Sequence, residues 1–429
     1  MNCNKKYGFI LSAFLIVAAC VNLSAADPTH TQYTALQCEG SAMPYPVPEL
    51  PAEVPDSLEP VMINHISRHG ARYMTSPSRA LTLKRTLLRA DSLGTITASG
   101  KKLLEIADYV IEKSDGRWGT LDSLGIAEQE GIAARMFANY PGLFEGGARV
   151  TAISSYVPRC IMSMDVFTHK LARLNNKLRI YTSSGSQNSP LLRPFEIDAD
   201  YIAYRRERPY AEVYSAYFLK TAPVAPARRM LGKDYPMSDD NARHWCMTAF
   251  SLVSAMRASG FGIDATSFFT NDELNALWSC NNLSQYLERS ANVISRVPAD
   301  IASDLLADLI TTADNVVQTP ETAGTRVQLR FGHAETMFPL LSLMHVPGCY
   351  YLTNYYDTVD LHWRNFYVAP MACNLQMILF RSNVSGRIYV RFDLNEVPVP
   401  ILPGSDRVYL PWTEARDYLI RCLPIDKQP

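Results

Sequence analysis

One run of residues limits the fold more than any other. Val61-Met62-Ile63-Asn64-His65-Ile66 leads directly into Ser67-Arg68-His69-Gly70. A short run that is mostly apolar on both faces suits a strand buried on two sides. Such strands belong to mostly parallel sheets whose faces are covered by helices. Open α/β sheets bind ligands just beyond the carboxyl ends of their strands. The loop at Ser67 therefore begins where an α/β fold places a site.

The rest of the chain agrees with that class. Leu103, Leu104, Ile106, Ala107, Val110 and Ile111 recur at helical spacing, and a second helix is predicted over 125–140. Ala148 to Ile153 reads as a strand ending at Ser154-Ser155, followed by a helix carrying Arg159, Ser163 and Phe167. Thr270 and Glu273 form a capping-box pattern ahead of Leu274, Leu277 and Trp278. Val327 to Phe331 alternates like a strand. Residues 375–393 read as a hairpin that turns through Asn383 to Gly386. The expected architecture is an α/β domain, its mostly parallel central sheet flanked by helices. That domain is built from residues 27–165 and 325–429, with a mainly helical insert over 166–324.

Residues 1–26 read as a targeting segment. Lys5 and Lys6 precede an apolar run from Phe9 to Val21, broken only by Ser12 and shorter than a bilayer span. Two processing signals compete. Ser24-Ala25-Ala26 suits a signal peptidase, and Val17-Ala18-Ala19-Cys20 resembles a lipobox that would leave Cys20 lipidated. Both imply export, to the periplasm, the outer-membrane surface or the medium. No later stretch is apolar and long enough to span a membrane. Export permits disulfides, yet seven of the nine cysteines follow residue 26, an odd number, with no CxxC pair and no zinc-type spacing. Most read as small buried apolar residues. The formal net charge of −1 gives no basic excess of the kind a nucleic-acid binder carries.

The chemistry-bearing signal is Arg68-His69-Gly70-Ala71-Arg72. Arginine presents a planar donor fork that fits phosphate oxygens. Two cations beside one imidazole discourage its protonation and keep it nucleophilic. The glycine is expected to free the backbone to turn. A plain basic surface turn is the bland alternative, and the loop's position after a buried strand argues against it. A second signal, Gly332-His333-Ala334-Glu335-Thr336, follows a strand and opens an apolar helix over 337–344, with Pro339 in its first turn. Helix N-termini favour anions. His333 could donate to a phosphate oxygen and Glu335 could protonate a leaving alcohol. Alone a His and a Glu two apart mean little, and so does Arg159, since a lone helical arginine is usually a solvated surface group.

Together these pieces resemble the histidine phosphatase superfamily, in its acid phosphatase and phytase branch. The resemblance spans residues 60 to 400 and rests on the RHGxR motif at 68–72, on Arg159 with Ser163 and Phe167, and on His333 with Glu335. The His-Ala-Glu ending is similar to that of the multiple inositol polyphosphate phosphatases, as are Leu277-Trp278 with Asn281, Ala369 to Asn374, and Leu394 to Glu396. Cys373 departs from the alanine of that pattern. The resemblance implies that His69 becomes a phosphohistidine. Arg68, Arg72, Arg159 and His333 would hold the phosphate. Glu335 would start protonated, supply the leaving-group proton, and then activate water. It implies no cofactor and no metal, the arginines supplying the positive charge, and a small phosphorylated molecule as substrate.

Other residues weigh less. His65 reads as a satisfied core histidine. Arg205, Arg206 and Arg208 usually would be a solvated face, yet Arg205 and Arg208 are candidates for holding further phosphates of a polyphosphate, as are Lys233, Arg193 and Arg243. Inositol polyphosphates lead as substrates. A broad acid phosphatase acting on sugar phosphates or phosphoglycerates would use the same catalytic residues, and a non-catalytic phosphate-binding protein would be expected to lack the nucleophile or the acid.

Overall fold

A computed structural model describes residues 32–318 and 325–428. The targeting segment 1–26, with Cys20, lies outside the described residues. The strands are β1 (Leu58–Arg68), β2 (Arg149–Ser154), β3 (Arg179–Ser184), β4 (Val327–Gly332), β5 (Asn374–Ser382), β6 (Ile388–Leu394), β7 (Val397–Val399) and β8 (Leu410–Pro411). They form one sheet in the order β3-β2-β4-β1-β5-β6-β7, with β8 on β6. The α/β class holds, but the sheet is mixed rather than mostly parallel. β3, β2, β4 and β1 run parallel, whereas β5 pairs antiparallel with β1, and β6 with β5. The reason is physical. Burial on both faces of β1 reports what covers the strand, not which way its neighbour runs. The short turn between β5 and β6 then fixes those two as antiparallel.

The helices that matter below are α1 (Ser78–Ser92), α2 (Ala98–Ser114), α3 (Ser123–Asn139), α4 (Pro158–Leu174), α5 (Ala199–Glu207), α6 (Asp239–Val253), α7 (Asn271–Arg289), α8 (Ser303–Gln318) and α9 (Ala334–Leu343). The strand period of two explains how the sheet is sandwiched. Met62 and Ile66 of β1 face a core shared with α7, α8 and α9. Ile63, from the opposite face, joins Ile132 of α3 and Phe167 of α4. A third core packs Leu83 of α1 and Leu103 of α2 against Trp245 and Phe250 of α6. So α1 and α2 pack with the helical body. β3, inside the stretch read as helical, extends the sheet by pairing with β2. The Thr270–Glu273 capping box starts α7 as expected.

Two local expectations change. α9 begins at Ala334 and not near Met337, because the His333 N–H donates to Thr336 Oγ1 at 3.0 Å and the Thr336 N–H to the His333 carbonyl at 3.1 Å. Glu335 therefore falls in the first turn and Pro339 inside the helix. His65 is a core histidine but not a satisfied one. It is fully buried against Phe167 and Phe331, and among the described residues neither ring nitrogen has a partner. Burial, reinforced by Arg330, lowers its pKa to about 3. The seven described cysteines are buried and unpaired. No helix among the described residues is long and apolar enough to cross a membrane.

Candidate active site

Register brings the two motifs together. In the β1–β4 ladder Ser67 lies opposite Phe331 and Arg68 opposite Gly332. In the β2–β4 ladder Ser154 also lies opposite Phe331. Three parallel strands thus end level, and the next residues of each, His69, His333 and Ser155, meet at the carboxyl edge. The His69 and His333 rings stand edge to face with centroids 5.7 Å apart. A cleft of about 320 Å³ opens there, between the strand ends and the helical body.

The loop after β1 is held from behind. Both carboxylate oxygens of the buried Glu128 on α3 accept backbone N–H groups, from Tyr45 at 2.8 Å and from Ala71 at 2.7 Å. The Gln129 amide donates to the Arg68 carbonyl at 3.1 Å, and the Gly70 N–H donates to Ser163 Oγ at 3.1 Å. Gly70 is required by close approach and not by a turn, for its φ is not positive. A Cβ there would lie 2.5 Å from the Gly125 carbonyl oxygen, so the start of α3 could not come so near the loop. His69 is 3% exposed. Its Nδ1 lies 2.9 Å from the Gly70 carbonyl oxygen, which can only accept. Nδ1 therefore carries the proton, and Nε2 is left with a free lone pair. Burial, then Arg68, Arg159 and Arg72, depress the His69 pKa far below the ordinary value, so the ring stays neutral.

Three of the cations that line the cleft, Arg68, Arg72 and Arg159, have no carboxylate partner among the described residues. Arg68 donates to the carbonyls of Ser41 at 2.6 Å and Ala369 at 2.8 Å, and Arg72 to that of Tyr73 at 2.9 Å. Among the described residues nothing accepts from the buried Nε of Arg68, Arg72 or Arg159. Burial lowers all three pKa values, that of Arg72 to about 9, helped by Arg159 at Arg68, by Arg68 and Arg159 at Arg72, and by Arg193 at Arg159. An unmet buried donor is costly, and three of them around one imidazole are answered by an anion with several acceptor oxygens.

His333 is neutral too, its pKa lowered to about 3 by burial and then by Arg159. Arg193 lies 2.5 Å from its Nε2 and can only donate to it. Its Nδ1 lies 3.3 Å from the Arg159 guanidinium, which places the ring beside any anion that Arg159 holds. Glu335 is not protonated at rest, contrary to the sequence expectation. Burial pushes its carboxyl up, but Arg289, 2.9 Å away, with His333, a backbone N–H and Arg68, pulls it down to about 2.

The structure thus brings together His69, Arg68, Arg72, Arg159, His333 and Glu335. It does not bring Arg205 and Arg208 there. Both are exposed at the end of α5, outside the cleft lining, because the buried face of that helix is given to Tyr201 and Tyr204. Lys233 and Arg243 also lie off the lining. Arg193 reaches the site from behind, through His333, and is ion-paired with Glu196. Arg289 and Arg79 line the cleft and escaped the sequence reading. A signal for Arg289 existed: Asn281, Gln285 and Arg289 recur every four residues on α7, and all three line the cleft.

Comparison with known proteins agrees with this geometry. The profile of the histidine phosphatase superfamily (branch 2) matches residues 61–395. Multiple inositol polyphosphate phosphatase 1 of Homo sapiens is 26% identical over 393 residues, covering 84% of this chain and 80% of the human one. That of Gallus gallus is 25% identical over 366 residues, covering 81% and 79%. Among solved structures, the Bifidobacterium longum multiple inositol polyphosphate phosphatase with phosphate superposes with a TM-score of 0.75 at 15% identity, covering 91% of this chain and 99% of that one. The D. castellii phytase gives 0.71 at 15% identity, covering 96% and 92%. With the motif histidine and its arginines gathered at the ends of three parallel strands, and the family profile spanning most of the sheet, the chain belongs to the histidine phosphatase superfamily, branch 2.

Proposed function

We propose that this chain hydrolyses phosphate monoesters through a phosphohistidine at His69, that inositol polyphosphates are its substrates, and that it works outside the cytoplasm after export on residues 1–26. One observation carries the reading. His69 presents an unprotonated Nε2 to a cleft where the buried Nε atoms of three arginines have no acceptor among the described residues. The relatives named above support the substrate class, and the B. longum enzyme has been solved with inositol hexasulfate.

In the first step His69 Nε2 forms a bond to phosphorus while the P–O ester bond breaks in line. The leaving oxygen takes a proton from Glu335. In the second, water attacks phosphorus as the N–P bond breaks, and Glu335 accepts the water's proton. Arg68, Arg72, Arg159 and His333 bind the equatorial oxygens, whose charge is the main burden of phosphoryl transfer. Because Nε2 is unprotonated down to low pH, the alkaline fall of activity is set by Glu335, not by His69.

The test is phosphate release from inositol hexakisphosphate, with chelator present, by wild type and His69→Ala. Release by wild type alone supports nucleophile and substrate together. Hydrolysis of 4-nitrophenyl phosphate without release from the hexakisphosphate would move the function to a general acid phosphatase. Inactivity toward both would leave a phosphate-binding protein.

A further inference from the structure

Glu335 has to be an acid in the first step, yet it rests as a carboxylate against Arg289. Arg289 ends α7, its guanidinium stands over the Phe338 ring at 5.9 Å, and it lines the same cleft as His69. A guanidinium has five donors, more than one carboxylate can take. We propose that Arg289 is a positioning residue for polyphosphate substrates: it keeps Glu335 ionised until a second phosphate group, next to the one being cleaved, draws the guanidinium to itself and lets Glu335 take up the proton it will donate. The inference rests on the reading of His69 as nucleophile and Glu335 as acid.

The other groups around Glu335 do not discriminate in this way. Arg68 and Arg72 come from the β1 loop, Arg159 and Cys160 from α4, and His333 from the cap of α9. The three arginines among them face the scissile phosphate, which every substrate has. Glu288, Tyr201 of α5 and Tyr210 also act on Arg289 and favour its charged state. Among the described residues Arg289 alone is paired directly with the carboxylate while lining the cleft. A phosphate dianion that takes Arg289 acts twice in one direction. It weakens the opposite charge beside Glu335 and adds a like charge nearby, and both raise the proton affinity of the carboxyl. The binding energy of a remote phosphate is thereby spent on the chemical step, in kcat and not only in KM.

The experiment compares pH profiles of kcat for three substrates with wild type, Arg289→Gln and Arg289→Lys. Inositol hexakisphosphate carries neighbouring phosphates. Glycerol 2-phosphate carries one phosphate and a leaving group that needs a proton. The leaving group of 4-nitrophenyl phosphate needs none. With wild type, the alkaline fall for the hexakisphosphate should lie about 1–3 pH units above that for glycerol 2-phosphate. Arg289→Gln should move the glycerol 2-phosphate fall up towards that position and close the gap. Arg289→Lys should restore the gap, and the nitrophenyl phosphate profile should keep its place throughout. An unchanged gap in Arg289→Gln, or a parallel loss on all three substrates that Lys does not rescue, would overturn the inference. If wild type hydrolyses the two monophosphates but not the hexakisphosphate, the substrate reading fails. The glycerol 2-phosphate profile of Arg289→Gln then still decides the role of Arg289.

Discussion

Arg391 and the three arginines around His69 are treated in opposite ways. On the antiparallel side of the sheet, Arg391 is fully buried and every donor is met. Asp393 takes Nε at 2.8 Å and a terminal nitrogen at 2.7 Å, Tyr140 and Tyr409 accept at 2.7 and 2.6 Å, and the Glu53 carbonyl accepts at 3.0 Å. Burial alone would lower the pKa of Arg391, but Asp393 outweighs it and the net shift is upward. At the cleft, burial lowers the pKa values of Arg68, Arg72 and Arg159, neighbouring arginines add to it, and no carboxylate paired with them reverses it. Arg391, every donor of which is met by its own carboxylate and neighbouring acceptors, is structure. Buried arginines gathered without a carboxylate are held in readiness for an anion, and the fold bears their repulsion until it arrives.

The contrast can be broken most forcefully at the paired site. Arg391→Ala leaves Asp393 charged and unpaired and should cost about 3–5 kcal/mol in chemical denaturation. Activity per folded molecule should be retained. Replacing both partners with Met and Leu should recover most of that loss. A mild effect of Arg391→Ala would show that the two groups do not differ as claimed.

At the cleft the signs reverse. Arg159→Ala should lower kcat/KM by roughly 10²–10³-fold, the usual cost of one donor to transition-state charge. The same substitution removes one of three mutually repelling cations and should raise stability by about 0.5–2 kcal/mol. Loss of stability together with activity would mean that Arg159 is a structural residue. The smallest effect is that of a ligand. Inositol hexasulfate at ten times its Kd should stabilise wild type by about 1.4 kcal/mol and Arg391→Ala by the same increment. Arg159→Ala should gain less at that concentration.

The same contrast explains what could be read in the sequence. The strand 61–66, the loop 68–72 and the strand 327–331 were legible because pattern and chemistry sit in consecutive residues. That three strands end level, so that His69 meets His333, follows from register between distant segments, which no local pattern states. The direction of β5 was hidden because antiparallel and parallel neighbours bury β1 equally. The glycine of the motif was recognised, but its reason, the backbone of Gly125 across the loop, needed the packing of α3. Arg205 and Arg208 drew attention as a cluster along the chain, whereas Arg289 stands alone in sequence and acquires meaning only opposite Glu335. Its four-residue stripe with Asn281 and Gln285 was the available clue.

The central claim is that the unpaired arginines serve a covalent step at His69. Its most direct test is to mix the protein with ³²P-labelled inositol hexakisphosphate, quench in alkali and map any label. The account predicts a protein-bound label that survives alkali, is lost in acid, maps to the peptide containing His69, and is absent from His69→Ala. Turnover by His69→Ala at the wild-type rate, or an acid-stable label on another residue, would contradict it.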